Sequence, residues 1–421
     1  MKSFIVSSLI VIYIILSAFL ETEGGSRITP ADLFLVALIG LAMIDALGRR
    51  KLFVSRVQLA ALPLLAVFLM GAIFSRHVDR AAFELIVILF SFIGSIAIAN
   101  LLIELPNTWL RRFAAWYVLA MGGLAAVCLV DFLILPGLVS SRNLGGVQGP
   151  FRNTGQAGSF FGVHFVLVFA LVVSRIVPRN VLFSGAVLMT FLALVLTLKR
   201  SSNIAVFVGI FLFIVMMFMS KSVTDKKIGL RFAGFAIVSG VIGTIVFQFA
   251  LGTVSRMKWR LERKYSSDTI EKFSEGFLVE NIEATLNAFS DSPIFGVGLG
   301  NVYQVYMSHE IHSTYLGVIA YGGLLGVIAY IFFMFRFFYE IYREKASKFN
   351  NEWAYFLYVL MPMVIGQMIG WGYTVHIRKR EFWILLIFVV VAARMSRRSR
   401  EDGRANRVGP KIFSRPVASM E

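Results

Sequence analysis

Twelve runs of apolar residues, 14 to 23 long, recur along the chain. A hydrocarbon core about 30 Å thick is crossed by roughly 17–25 helical residues, so this spacing leaves few folds open. The runs lie near Phe4–Leu20, Asp32–Leu47, Val57–Ser75, Ala81–Ile103, Phe113–Leu135, Gln156–Ile176, Val181–Leu198, Asn203–Ser220, Phe232–Leu251, Ser313–Phe335, Trp353–Tyr373 and Phe382–Met395, the second and last being short. Backbone polar groups in lipid must be satisfied within the segment, which makes these spans helices. The period-2 alternation of a membrane barrel is absent. With 58% hydrophobic and 15% charged residues, against roughly 25% charged in soluble domains, water is not the solvent for most of this surface. The expected fold is all-α, a polytopic integral membrane protein of about twelve transmembrane helices with one long external loop.

The chain carries 41 Lys and Arg and a net charge of +17, which invites a nucleic-acid reading. Its distribution argues otherwise. With the N-terminus inside, 25 basic residues fall on cytoplasmic segments and 16 on external ones, six of the latter in one long loop. Positive charge concentrates on the cytoplasmic side of membrane proteins, so both termini are expected in the cytoplasm. The basic tail Arg394–Arg415 then anchors the topology beside anionic lipid and contacts no nucleic acid. Lys2 before the first run resembles the start of a secretory leader. The run is long, however, and Ser17–Glu21 offers no small-x-small cleavage site, so this span is expected to be retained. One cysteine, Cys128, excludes an intramolecular disulfide or a thiolate zinc cluster. The division expected is 1–135 for N-terminal helices, 136–335 for a core that includes the external loop 252–311, 336–395 for C-terminal helices and 396–421 for the tail.

Two external segments are long enough to build a site, Pro136–Gly155 and Gly252–Ile311. The second opens with Arg256-Met257-Lys258-Trp259-Arg260, positive charge kept outside against the topological trend. Further on, Leu278, Ile282, Leu286 and Phe289 recur at helical spacing among Glu280, Glu283 and Asn287. This pattern predicts an amphipathic helix on the outer membrane surface or across the bundle. Asp291-Ser292-Pro293 would stop it, and Gly296, Gly298 and Gly300 form a tight turn. GVGLGN only superficially resembles a dinucleotide fingerprint, because no βαβ unit surrounds it.

Three clusters at the external end carry the chemistry-bearing side chains: Gly149–Gln156 with Arg152, Asn153 and Gln156; Lys199-Arg200-Ser201-Ser202-Asn203; and Ser308–Leu316 with His309, Glu310 and His312. Guanidinium groups match phosphate oxygens and stabilise charge on a departing diphosphate. Imidazole is suited to taking a proton from a sugar hydroxyl near neutral pH. Together they suit a transferase acting on a lipid diphosphate sugar. The competing readings are structural: Lys199 and Arg200 as a snorkelling interface pair, Arg142 and Arg152 as loop charges, His312 as a capping residue, His309 as a solvated one. His164 and His376 fit hydrogen-bonded structural roles better than chemical ones. Arg378-Lys379-Arg380-Glu381 violates the inside bias, either as a lipid-phosphate contact or because the last two spans are misdrawn. No cofactor is implied and no metal either: acidic pairs of the kind that hold a divalent ion for a nucleotide sugar are missing from the external loops.

HSTYLGVIAYGGLLG at His312–Gly326, preceded by FSDSPIFGVGLGN at Phe289–Asn301, resembles the core domain of the bacterial O-antigen ligase and polysaccharide polymerase family. GPFRNTGQAG at Gly149–Gly158 and LKRSSNIAV at Leu198–Val206 look like its other signatures, so the resemblance covers about Gly149 to Phe335. It implies a metal-independent glycosyltransferase at the periplasmic face of the bacterial inner membrane, acting on glycans carried by undecaprenyl diphosphate. By position it implies His312 as general base and Arg200 as the ligand of the donor diphosphate, with Gly298 and Gly300 in the family's glycine turn. Arg152, Asn153, Gln156, Lys199, Arg256, Arg260 and His309 would line the substrate site. The family's arginine a dozen residues before the SP turn is replaced by Leu278, with Arg256, Arg260 or Arg263 as substitutes. Polymerisation of a surface or exopolysaccharide is the expected reaction, beside a chain-length regulator or export complex. Transfer to lipid A core by an O-antigen ligase is the alternative. A flippase is the competing class, but it would need two related halves and charges lining a central cavity.

Overall fold

The computed structural model describes residues 1–19, 29–140, 145–254, 257–259, 262, 278–344 and 351–407. Arg142, Arg256, Arg260 and Arg263 lie outside them. Among the described residues the regular structure is helical: α1 (Lys2–Leu16), α2 (Pro30–Arg49), α3 (Arg56–Ile73), α4 (Val78–Ile103), α5 (Asn107–Leu133), α6 (Thr154–Val173), α7 (Val181–Leu196), α8 (Arg200–Met219), α9 (Val223–Thr253), α10 (Leu278–Asp291), α11 (Val302–Val305), α12 (Thr314–Arg343), α13 (Glu352–Trp371) and α14 (Arg380–Arg407). Each expected apolar run coincides with one of these helices. Nine of the described helices are long and apolar enough to cross a membrane, while α1 and α7 are shorter apolar helices. Helix α14 buries its apolar first half and continues into basic residues.

The helices start where polar caps precede the apolar runs. Ser55 and Gln58 exchange hydrogen bonds at the head of α3. Asn153, Asn180 and Ser313 accept from the third backbone N–H after them, at the heads of α6, α7 and α12. These bonds satisfy N–H groups that have no partner inside the helix.

Helix α6 is the axis of the bundle, with 94% of its apolar window buried among α5, α7, α8, α13 and α14. Around it, α8 packs on α13, α12 on α3 and α14 on α4. Small residues set the closest crossing. A Cβ added to Gly366 of α13 would stand 2.3 Å from the Ala205 carbonyl of α8 and 2.6 Å from the Gly209 nitrogen. Without a hydrophobic drive between helices in lipid, such close backbone approach supplies the packing. The outer faces remain apolar, as Leu33, Met43, Ile44 and Leu47 do on α2, because lipid and not water covers them.

Helix α12 is broken. Gly323 has φ +57° and ψ −153° inside it, and the segment after α10 fills the break. Val297 donates to the Ala320 carbonyl (2.9 Å) and Gly298 to that of Tyr321 (3.2 Å). Leu324 donates to the Pro293 carbonyl (2.8 Å) and Leu325 to that of Ile294 (3.2 Å). The break thus loses few backbone hydrogen bonds; they are exchanged with a second segment.

Candidate functional site

The short segment between α13 and α14, Gly372–Lys379, joins two of the three clusters, the Lys199–Asn203 turn and the histidine loop. Thr374 Oγ1 accepts from Lys199 Nζ at 3.1 Å, and its carbonyl accepts from Thr314 Oγ1 at 2.7 Å. The His376 N–H in turn donates to Thr314 Oγ1 at 2.9 Å. Lys199 at the head of α8 and the histidine loop at the head of α12 are therefore two hydrogen bonds apart. Arg378 pairs with Glu84 of α4 and, at 3.0 Å, with Glu310 of the histidine loop. Burial alone would pull its guanidinium down, but Glu84 and Glu310 outweigh that and hold it above its ordinary value. Arg380 pairs with Asp32 at 2.6 Å. Arg378 and Arg380 thus tie this segment to α2, α4 and the histidine loop.

His312 is exposed, and its backbone is held by the buried Asn281 of α10, whose Oδ1 accepts from the His312 N–H at 3.1 Å. Its Nδ1 lies against the Glu310 carbonyl. A carbonyl only accepts, so Nδ1 carries the proton of the neutral ring and Nε2 is the basic nitrogen. His309 lies beside it, ring centroids 5.8 Å apart, with its own Nδ1 3.6 Å from Glu280. His376 is buried, and desolvation followed by the Lys379 and Lys199 charges holds its imidazole well below the usual value. It is a poor proton acceptor by comparison. His164 is buried inside α6 and shares a 2.7 Å hydrogen bond with the Tyr117 hydroxyl, a structural arrangement.

The α7–α8 turn bends through Leu198 at φ +56°. Lys199 then crosses α6 at Gly158, where a Cβ would stand 2.6 Å from that of Lys199. Its ammonium reaches Ser159 on α6, and the ammonium of Lys379 reaches the same hydroxyl at 2.8 Å. Arg200 is the half-buried first residue of α8. Arg152 is exposed on the loop before α6, Asn153 caps that helix, and the buried Oε1 of Gln156 has no partner. The loop itself packs on α5. Gly149, at φ +57°, lies over Cys128, whose Sγ is 2.2 Å from where a Cβ would stand.

The glycine turn serves the frame of the site. A Cβ on Gly298 would meet the Gly71 carbonyl of α3 at 2.4 Å, and one on Gly300 the side chains of Arg80 and Glu84 at 3.2 and 3.3 Å. Asn301 at the end of the turn bonds Ser75 and accepts from the His77 N–H at 3.0 Å. The residues that sequence reasoning missed are Ser159, Asn281, Glu84 and Thr374; Arg378 and Lys379 were noticed only as a topological exception. A buried acid or amide in an apolar helix was the available signal for Glu84 and Asn281.

Two cavities flank this frame. A cleft of about 720 Å³ lies at the opposite end of the bundle, where Arg111 pairs with Glu352 and Arg179 caps α6 carbonyls. An apolar cavity of about 500 Å³ lies among α6, α7, α8 and α9, lined by Phe165, Phe191, Phe207 and Phe232. No curated protein matches the chain. Residues 184–331 match the family model described as O-antigen ligase. That stretch takes in the Lys199–Arg200 turn, the glycine turn, the histidine loop and the broken helix. The chain thus carries a domain of the O-antigen ligase type over residues 184–331.

Proposed function

We propose that this protein is a metal-independent glycosyltransferase of the bacterial inner membrane that joins glycans carried on undecaprenyl diphosphate at the periplasmic face. Polymerisation of a surface or exopolysaccharide is the reaction we assign. The observation that supports the reading is the hydrogen-bonded link from Lys199 through Thr374 to Thr314, two residues after the exposed His312. In this reading His312 Nε2 takes the proton of the acceptor hydroxyl as its oxygen attacks the anomeric carbon. The bond from that carbon to the donor diphosphate breaks, and the departing oxygen keeps the electron pair. Arg200 stabilises the charge that develops there, with Lys199, Arg152 and His309 around the substrate and Asn153 and Gln156 shaping the mouth. The phenylalanine-lined cavity below the head of α8 suits the apolar carrier chain.

Complementation of a deletion strain tests it, with gel analysis of surface and secreted polysaccharide at matched membrane abundance. Arg200→Ala and His312→Ala are each expected to lose polymer and accumulate single repeat units. Free polymer lacking its anchor would instead identify a ligase. Normal long glycan in both variants would return the two residues to interface and capping roles.

A further inference from the structure

The Ser159 hydroxyl accepts from two lysines that lie 180 positions apart in the chain, Lys199 and Lys379. A neutral hydroxyl has lone pairs for both donors but neutralises neither charge. Ammonium groups sharing one oxygen at hydrogen-bond distance stand within about 6 Å of each other, where like charges repel strongly out of bulk water. Lys379 forms no ion pair among the described residues. Burial pulls its ammonium below the usual lysine value, with Glu381 opposing and Arg378 adding to the effect. The nearby acids are already engaged, Glu84 and Glu310 with Arg378 and Asp32 with Arg380. Among the described residues no carboxylate pairs with Lys379, although Arg378 and Arg380 on either side of it are both paired, and Glu381 opposes the burial only in part.

The surroundings complete a receptor. The Thr374 hydroxyl stands 3.1 Å from Lys199 Nζ, and the buried Nδ1 of His376 has no partner. Gly158 leaves the space through which the Lys199 stem reaches this point. Two ammonium groups and a buried imidazole match a ligand with several anionic oxygens that accept charge-assisted hydrogen bonds, while the Thr374 hydroxyl, whose proton goes to the Tyr373 carbonyl, holds Lys199 in place. We propose that Lys379 and Lys199 form a phosphate-binding cradle over Ser159, and that its ligand is the diphosphate of the lipid-linked donor. The cradle itself follows from the geometry; the identity of the ligand rests on the function proposed above.

The test uses the purified full-length protein in detergent, with farnesyl diphosphate, inorganic pyrophosphate and short-chain phosphatidylglycerol as probes. Binding and thermal unfolding are followed for wild type, Lys379→Met and Lys379→Arg. Farnesyl diphosphate and pyrophosphate are expected to bind and stabilise the wild type. Lys379→Met is expected to bind them about tenfold more weakly, from the loss of one charge-assisted partner. Lys379→Arg should stay close to wild type. Without ligand, Lys379→Met should unfold no lower than wild type, because it removes a buried charge that has no ion pair among the described residues. Unchanged diphosphate binding in Lys379→Met would overturn the cradle. Phosphatidylglycerol binding with the same dependence, and no diphosphate binding, would overturn the ligand assignment in favour of an ordinary lipid headgroup. Loss of polymer in the Arg200 and His312 variants is read separately, so a failure of the glycosyltransferase reading is told apart from a failure of the cradle.

Discussion

Gly296 has φ +69°, and a Cβ there would stand 2.4 Å from the Gly322 nitrogen. Both the backbone conformation and the contact oppose a side chain, so Gly296→Ala is expected to cost about 2 kcal/mol or more. Gly300→Ala, whose Cβ would meet only movable side chains of Arg80 and Glu84, should cost less; detergent unfolding curves of the two variants check the order. Arg378 poses the electrostatic version of the problem. Arg378→Met leaves the buried Glu84 and the exposed Glu310 without their cation, and the buried carboxylate makes the variant unfold at a lower temperature than wild type. Adding Glu84→Gln to Arg378→Met should restore part of the stability, measured as a coupling in a double-mutant cycle. The histidine and arginine candidates were legible because their residue types advertise their chemistry. The second lysine was not, because its meaning depends on Ser159, 220 positions away in the chain.

Among the elements, the apolar runs located the spans well, and they fell short where helices outrun the hydrocarbon. Helix α9 starts at Val223, ahead of the apolar stretch, because Lys226, Lys227 and Arg231 extend it outside the lipid without breaking its hydrogen bonds. Helix α10 was visible from its spacing, but which face is buried was not. Asn281, Ala284, Thr285 and Ala288 pack inward, while Leu278, Ile282 and Leu286 face out. Water would normally reverse that choice; at the membrane surface the apolar face has lipid to meet. A tryptophan placed by Leu286→Trp is therefore expected to be quenched by brominated lipid in liposomes, and one placed by Ala288→Trp to disturb packing instead. Absence of quenching at 286 would mean that this face is covered by protein or open to water.

For the whole molecule, the positive-inside bias predicts the candidate site outside and both termini within. In a Cys128→Ala background, Ser308→Cys is expected to react with a membrane-impermeant maleimide on intact cells, and Ser222→Cys only after permeabilisation. The reverse pattern would put the site on the cytoplasmic face and remove the lipid-linked donor from reach. What no linear reading supplies is the assembly around α6. The last loop's ties to α2, α4 and α8 join residues up to about 350 positions apart. Apolar periodicity says which residues avoid water and nothing about which helix they meet.

The break in α12 also bears on how the chain is put into the membrane. Residues 320–325 lie roughly 10 Å below the head of that helix at 1.5 Å per residue, and their backbone bonds go to residues 293–298. A ribosome makes those partners first, yet they have nothing to pair with until α12 arrives. Docking of residues 293–298 therefore waits for the insertion of this helix. In a chain stopped before residue 314 the amides and carbonyls of that segment lack these partners and need water to satisfy them, since lipid cannot.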